Sequence, residues 1–176
     1  MSDEVLVERR GAVQVITINR PEARNAINGA VAAGVRDAVD ELDADSALSV
    51  GVITGTGGTF SSGMDLKAFL KGETPSFPGR GLCGITQTPP RKPLIGAVEG
   101  YAVAGGTELI QACDIRVAAA SATFGLFEVR RGLFPVAGST VQCSVPPMVS
   151  FPSPLRGRPG SRPACARNEN TFYQAA

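Results

Sequence analysis

Three short runs of almost entirely apolar residues limit the folds that are open to this chain. They are LSVGVITG (48–55), PLIGAVEG (93–100) and IRVAAA (115–120). Strands without an alternation of apolar and polar residues are typical of a parallel sheet that is covered on both faces. Helical stretches over 65–71 and 105–113 alternate with these runs. We therefore predict βαβ units and a parallel sheet, in the α/β class.

An N-terminal hairpin is predicted to lead into this sheet. EVLVER (4–9) and AVQVITIN (12–19) alternate apolar and polar residues around a turn at Arg10-Gly11. The period then changes to that of an amphipathic helix, with Asn28 as its N-cap. The apolar face of this helix comprises Val31, Val35, Ala38, Val39 and Leu42.

The lack of histidine excludes several kinds of active site. The 176 residues include no histidine, which rules out Ser-His-Asp and Cys-His nucleophilic sites within one chain and the usual histidine-containing metal sites. Cys83, Cys113, Cys143 and Cys165 are widely spaced without a CxxC pair, so we expect reduced thiols and no metal site. Acid–base chemistry must therefore come from carboxylates, lysine or tyrosine.

Composition predicts a globular protein outside the membrane. The chain is 43% hydrophobic and 19% charged, which is ordinary for a globular domain. No apolar segment is long enough to span a bilayer, and the N-terminus MSDEVLVERR lacks the basic start and apolar stretch of a signal peptide. We therefore expect a cytoplasmic protein with no membrane partner.

Two glycine-rich stretches follow predicted strands. They are GTGGTFSSGMD (55–65) and GYAVAGG (100–106), and neither has the spacing of a nucleotide-binding loop. In each stretch glycine precedes the start of a predicted helix, at Gly63 and at Gly105-Gly106. Free backbone N–H groups at such positions can hold a developing oxyanion.

Two glutamates near these loops have ordinary structural interpretations when each is taken alone. Glu108 would lie in the first turn of a helix, where an acid complements the helix dipole. Glu128 lies beside Arg130 and Arg131, and such a charge is normally solvated. Residue types and spacing therefore leave both the structural and the catalytic interpretation open.

Three segments carry a more specific signal when they are considered in order. They are ITINRPEARNAIN (16–28), GTFSSGMDLKAF (58–69) and KPLIGAVEGYAVAGGTELIQACDIRVAAASATFGLFEVRRGLFP (92–135). In this order they strongly resemble the enoyl-CoA hydratase/isomerase (crotonase) family, from about Val5 to Thr140. The resemblance implies a crotonase-like α/β spiral of ββα units that binds an acyl-CoA thioester.

The resemblance also implies a role for individual residues. Met64 and Gly105 would supply the two N–H donors of an oxyanion hole. Glu108 would hold the water that attacks the β-carbon, and Glu128 would deliver a proton to the α-carbon. Further contacts with coenzyme A or the thioester would come from Arg24 near phosphate, Ala26 near adenine, and Ser62, Gly63, Asp65, Leu66, Tyr101, Val103 and Gly106.

The chemistry of hydration fits this set of residues. Addition of water to a C=C bond conjugated with a thioester builds negative charge on the carbonyl oxygen, which preorganised donors stabilise. Two nearby carboxyl groups in different protonation states can then move the protons. We therefore predict an enoyl-CoA hydratase, a hydro-lyase that converts trans-2-enoyl-CoA into 3-hydroxyacyl-CoA. No cofactor is expected, because coenzyme A is part of the substrate.

Two alternatives to this function stay open. An enoyl-CoA isomerase would shift a 3-enoyl substrate into conjugation without adding water. A truncated, non-catalytic paralogue would bind acyl-CoA without turnover. Glutamate at both Glu108 and Glu128 favours the hydratase.

The C-terminal part differs in character from the rest, and we divide the chain into a core (1–142) and a tail (143–176). The resemblance implies that amphipathic helices follow GLFP and support a trimer or a dimer of trimers. The tail instead predicts irregular or disordered chain without the usual C-terminal helices. Its prolines and arginines are Pro146, Pro147, Pro152, Pro154, Pro159, Pro163, Arg156, Arg158, Arg162 and Arg167.

Two origins of the tail are open. A frameshift near 138–142 would produce a string rich in proline and arginine that contradicts the preceding fold. A genuine basic tail would instead bind an acidic partner. Because aromatic residues do not alternate with the arginines, we expect no nucleic-acid partner.

Overall fold

The protein is built around a six-stranded sheet. The structure is a computed structural model that describes residues 4–128, 132, 135, 137 and 149–151. The strands in chain order are β1 (Val5–Arg10), β2 (Val13–Ile18), β3 (Val50–Gly55), β4 (Ser76–Phe77), β5 (Gly81–Leu82), β6 (Leu94–Val98), β7 (Tyr101–Val103), β8 (Ile115–Ala119), β9 (Thr123–Gly125) and β10 (Val149–Phe151). In the six-stranded sheet their order is β1-β2-β3-β6-β8-β10.

The predicted hairpin and parallel sheet are both confirmed. β1 pairs with β2 in antiparallel register from Val5 opposite Ile18, whereas β2, β3, β6 and β8 pair in parallel. The three apolar runs of the sequence become β3, β6 and β8. The helices are α1 (Gly29–Ala44), α2 (Leu66–Leu70) and α3 (Gly105–Gln111), each within or close to a predicted helical stretch.

Helix α1 packs on the sheet through the apolar face that the sequence predicts. The side chain of Asn28 caps its first turn by accepting a hydrogen bond of 2.8 Å from Val31 N. At the other end, Lys92 Nζ donates to the carbonyl oxygens of Leu42 and Asp45, at 2.7 and 2.6 Å. A cation at this position satisfies the last carbonyl groups of the helix.

A second, smaller layer of parallel strands lies beside the main sheet. β7 pairs with β9, so that Val103 lies opposite Gly125. Isolated bridges extend this layer from Ser61 to Ala102 and from Ile27 to Met64. The chain thus runs from the main sheet to the second layer and then into a helix, as in β6, β7 and α3. This is the ββα pattern predicted from the resemblance.

A short hairpin formed by β4 and β5 packs beside α1. Arg80 forms a bidentate ion pair with Asp40 of α1, at 2.9 and 2.7 Å. The hydrogen bonds from Arg80 hold the pKa of the Asp40 carboxyl below its usual value. Arg36 of α1 lies 4.3 Å from the ring centre of Phe77 in the hairpin.

The predicted tail falls largely outside the described residues. Within it, Val149–Phe151 forms β10 and pairs in parallel with β8. The division at 142 and the irregular character of the tail stay predictions. Among the described residues, no helix combines the length and apolar character needed to cross a bilayer.

The cap at the end of α1 gives a stability prediction. Replacement of Lys92 by Met should lower the free energy of unfolding by about 1–2 kcal/mol, because two helix-end carbonyl groups lose their donor. Urea denaturation followed by circular dichroism measures this loss. Lys71→Met is the matched control, because Lys71 is exposed and should change stability by less than about 0.5 kcal/mol. Equal losses in the two variants would contradict the assigned capping role.

Candidate active site

The second layer brings together two segments that are distant in sequence. Ser61 N donates to Tyr101 O, and Val103 N donates to Ser61 O, both at 3.0 Å. These bonds pair Ser61 with β7 in the way that two parallel strands pair. The turns that follow, Gly63-Met64 and Ala104-Gly105, therefore emerge at the same edge of the layer.

The two turns are in direct backbone contact. A Cβ atom added to Gly63, which has φ +89°, would lie 2.8 Å from Ala104 Cβ and 3.0 Å from Gly105 N. A Cβ on Gly105 would lie 3.6 Å from Met64 N. The same Cβ would lie 3.2 Å from Cδ2 of Leu82 in β5. Glycine is needed at Gly63 both for its conformation and for this approach.

The contact leaves two neighbouring N–H groups without an acceptor. Met64 N and Gly105 N donate no hydrogen bond to any part of the chain that the structure describes. The N–H groups on either side of Met64 are used, because Gly63 N bonds to Ser61 Oγ and Asp65 N bonds to Ile27 O. Two free donors on contacting turns suit an oxyanion, as the resemblance implies for these residues.

Backbone strain is concentrated at the same place. Ala104, the N-cap of α3, has φ 50° and ψ −125°, a conformation that favours glycine. Its N–H donates to Gly125 O at 2.7 Å, which fixes the turn against β9. A strained residue of this kind costs about 1–3 kcal/mol and is typical of functional sites.

Glu108 is a buried acid beside these donors. It lies in the first turn of α3, as predicted, and is only 3% exposed. Ala137 N donates to its Oε1 at 2.8 Å. A carboxyl group is rarely buried for stability alone, because it loses hydration. The simple helix-start interpretation therefore does not account for Glu108.

Glu128 follows β9, and the end of this strand lies next to Thr107. Thr107 Oγ1, next to Glu108 in the chain, lies 2.6 Å from Ala102 O and 3.1 Å from Gly125 O. Glu128 follows Gly125 by only three residues, a span of at most about 11 Å. Its Oε2 is buried without a hydrogen-bond partner among residues 4–128 and the other described positions. Most buried side-chain polar atoms have a hydrogen-bond partner, so this oxygen is an exception.

The loop that the resemblance assigns to coenzyme A is organised by Asn25. This buried residue has φ 53°, and its Nδ2 donates to Thr56 O at 2.9 Å and to Thr59 O at 2.6 Å. Its Oδ1 accepts from Arg20 N at 2.8 Å. The neighbouring Arg24, with φ 52°, is exposed. Sequence reasoning missed the role of Asn25, although asparagine is among the few residues that tolerate this conformation.

Asp65 has a structural task in the same loop. Its Oδ1 caps α2 by accepting from Lys67 N and Ala68 N, and its Oδ2 pairs with Arg20 at 3.1 Å. Although burial opposes it, these bonds hold the pKa of Asp65 below its usual value. Arg20 also donates to Ala26 O at 2.6 Å. The predicted contact of Asp65 with coenzyme A is not tested by this arrangement.

The remaining predicted contact residues surround the two turns. Ser62 N donates to Arg24 O at 3.0 Å. A Cβ on Gly106 would lie 2.6 Å from Ser61 O, so this glycine permits the close approach of α3. Leu66 and Tyr101 are 48% and 57% exposed and can contact a ligand. Val103 is half-buried at the end of β7.

A groove of about 220 Å³ lies elsewhere, between β1 and α1. Apart from Asp37 and Glu41, the residues that line it are apolar or small, and none belongs to the candidate site. The described residues also hold no group of three or more cysteine and acidic side chains that could bind a metal. The candidate active site lies instead at the edge of the second layer.

A family model described as enoyl-CoA hydratase/isomerase matches residues 8–144. The chain belongs to this family. The match covers most of the chain and confirms the family expected from the sequence motifs. The predicted Met64, Gly105, Glu108 and Glu128 all lie within the matched range.

Two relatives in the enoyl-CoA hydratase/isomerase family illustrate the similarity. Enoyl-CoA hydratase EchA19 of Mycobacterium tuberculosis is 43% identical over 150 residues, which are 79% of this chain and 55% of that protein. Mevalonyl-coenzyme A hydratase sidH of Aspergillus fumigatus is 44% identical over 131 residues, or 72% and 48% of the two chains.

A solved structure confirms the fold. Enoyl-CoA hydratase EchA1 from Mycobacterium marinum matches with a TM-score of 0.78 and 56% identity, over 80% of this chain and 56% of that one. The crotonase-like α/β fold predicted from the sequence is therefore correct. The chain spans about half the length of the relatives that it matches.

Asn25 gives a test of the loop at this site. Replacement of Asn25 by Asp should destabilise the protein more at pH 8 than at pH 4, because a carboxylate would face two carbonyl oxygens and its folded-state pKa would rise. The added loss is absent below the unfolded-state pKa of about 3.9 and complete above the folded-state pKa. Urea denaturation at several pH values measures it.

Asn25→Ala is the matched control for this test. It removes the same hydrogen bonds without a titratable group, and should cost about 2–4 kcal/mol with no added pH dependence relative to the parent protein. If Asn25→Asp followed the pH dependence of Asn25→Ala, the assigned bonds to Thr56 and Thr59 would be wrong.

Proposed function

We propose that this chain is the catalytic core of an enoyl-CoA hydratase, which adds water reversibly to a trans-2-enoyl-CoA to give a 3-hydroxyacyl-CoA. The observation that carries the proposal is the pair of unpartnered N–H groups, at Met64 and Gly105, beside the buried Glu108. Family membership and the hydratases among its relatives support it.

The thioester oxygen binds between the two free donors. Met64 N–H and Gly105 N–H stabilise the negative charge that grows on this oxygen as the hydroxyl group reaches the β-carbon. Because both donors are backbone groups on contacting turns, they need little reorganisation during the reaction. Removal of one such donor typically costs about 10²–10³ in kcat.

The two glutamates move the protons. Glu108 positions a water molecule, which transfers its hydroxyl group to the β-carbon and its proton to the carboxylate. Glu128 in its protonated form donates a proton to the α-carbon. Proton exchange between the carboxyl groups then restores the starting state, so that one water is added overall.

Coenzyme A lies along the loops that precede these groups. The exposed Arg24 binds phosphate as a charged donor, and Ala26 lies against adenine. Leu66 and Tyr101 supply exposed apolar surface for the pantetheine arm and the thioester channel. Backbone and side-chain contacts from the same turns complete this site, at Ser62, Gly63, Asp65, Val103 and Gly106. The reaction proposed here needs no cofactor besides the coenzyme A of the substrate.

Loss of the conjugated enoyl-thioester absorbance tests the proposal. Short, medium and long trans-2-enoyl-CoAs are each added to the chain, and hydration is followed as the absorbance falls. Glu108→Gln and Glu128→Gln should each lower kcat by about 10²–10⁴, because each removes a proton-transfer group. Glu8→Gln is the control, because Glu8 is an exposed residue of β1 and should leave kcat unchanged.

Three results would contradict the proposed hydratase. Conversion of a 3-enoyl-CoA into the conjugated isomer without hydration would identify an isomerase. Binding of acyl-CoA by a folded chain with no turnover would identify a non-catalytic relative. Hydration that survives both glutamate substitutions would show that other groups move the protons.

A further inference from the structure

We propose that Arg116 is a positioning residue that acts through α3 to hold Gly105 N–H and Glu108 in the positions that the proposed reaction requires. The catalytic consequence of this role rests on the proposed function. Arg116 lies on β8, at the opposite end of α3 from the candidate oxyanion donors. It therefore does not touch the reacting atoms.

Arg116 binds the last turn of α3 from inside the protein. It is 8% exposed, its Nε donates to Ile110 O at 2.8 Å, and its Nη2 donates to Gln111 O at 2.5 Å. Burial lowers the pKa of its guanidinium group. It forms no ion pair with the part of the chain that the structure describes.

A buried guanidinium is a costly way to satisfy two carbonyl groups. Removal of a cation from water is strongly unfavourable, and the hydrogen-bond acceptors here are neutral carbonyl oxygens. Its advantage over a neutral donor is geometric, because the planar fork fixes two carbonyl groups in one orientation. The cost and the rigid fork together indicate that the orientation of α3 matters.

The short length of α3 makes its two ends depend on each other. The helix has seven residues, all of them buried. Its first turn is fixed by Ala104 N to Gly125 O, and its far end by Arg116 together with Asp114 N to Leu94 O at 2.9 Å. A helix rises about 1.5 Å per residue, so Gly105 and Ile110 are only about 8 Å apart along the axis.

Close packing turns a displacement at one end into a displacement at the other. A Cβ on Gly96 would lie 2.7 Å from Ile110 Cδ1, so the last turn already lies against the sheet with no spare room. Loss of the Arg116 fork removes two of the bonds that hold that turn, and close packing passes any resulting shift to the first turn, which carries both Gly105 N–H and Glu108. A misplacement of about 1 Å at a reacting centre can cost 10²-fold in rate.

Lys92 provides a matched comparison within the same chain. Like Arg116, it donates to two carbonyl oxygens at a helix end, those of Leu42 and Asp45 in and next to α1. No candidate site residue lies on α1. If the two substitutions only lower stability, Lys92→Met and Arg116→Met should change amide exchange at Glu108 and kcat alike. If Arg116 positions α3, only Arg116→Met should change them.

Amide hydrogen exchange tests the positioning without requiring activity. Glu108 N donates to Ala104 O at 3.1 Å and reports on the first turn of α3. We expect Arg116→Met to speed exchange at this amide at least tenfold relative to the amides of β2. Arg116→Lys, which keeps one donor and the charge, should have a smaller effect and serves if the Met variant does not fold. Lys92→Met should leave the ratio unchanged.

Steady-state kinetics with a trans-2-enoyl-CoA supply the second measurement. Arg116→Met should lower kcat about 10- to 100-fold with KM within threefold, with partial recovery in Arg116→Lys, whereas Lys92→Met should retain the kcat of the parent chain. An unchanged exchange ratio at Glu108 in both Arg116 variants would overturn the positioning role. An inactive parent chain whose exchange ratio responds to Arg116 would instead disprove the hydratase and leave the positioning role supported.

Discussion

The contact between the turns Gly63-Met64 and Ala104-Gly105 is the constraint on which the site depends. It brings two backbone N–H groups together from segments about forty residues apart, and a side chain on Gly63 would close the space between them. The bonds between Ser61 and β7 set the distance of approach. The proposed oxyanion site thus results from strand pairing in the second layer, whereas the two acids are contributed by side chains.

The strain in this arrangement lies in backbone dihedral angles rather than in the packing of the core. Arg24, Asn25 and Ala104 all have positive φ values, and each lies in a loop or turn beside the second layer. Asn25 offsets part of the cost through three side-chain hydrogen bonds, to Thr56, Thr59 and Arg20. Rigid turns of this kind preorganise donors, which is the property that charge stabilisation requires.

Much of the main sheet could be predicted from the sequence, because hydrophobic periodicity is a local signal. The hairpin, α1 with its cap at Asn28, and the parallel strands all follow from hydrophobic period. β7 and β9 were missed because three residues in glycine-rich chain do not show a period. The roles of Asn25 and Arg116 were also not predicted, because each depends on carbonyl groups that become neighbours only in the folded chain.

The candidate residues differ in how far the sequence could specify them. Glycine before a helix start pointed to free donors near Gly63 and Gly105, and the structure places those turns in contact. For Glu108 and Glu128, spacing along the chain gave no reason to expect that they meet. Their association rested on the resemblance alone. The Thr107 hydroxyl lies within hydrogen-bond distance of Gly125 O, on the strand that precedes Glu128, and the convergence of the two acids stays a prediction.

Residues up to Glu128 hold both proposed donors and both acids, but Glu108 is completed by a later residue. Ala137 N–H donates to its Oε1 at 2.8 Å. That N–H restrains the rotation of the carboxyl group, and a fixed orientation is what a proton-transfer group needs. In the proposed mechanism Ala137 therefore helps to position Glu108, although it follows β9 in the chain.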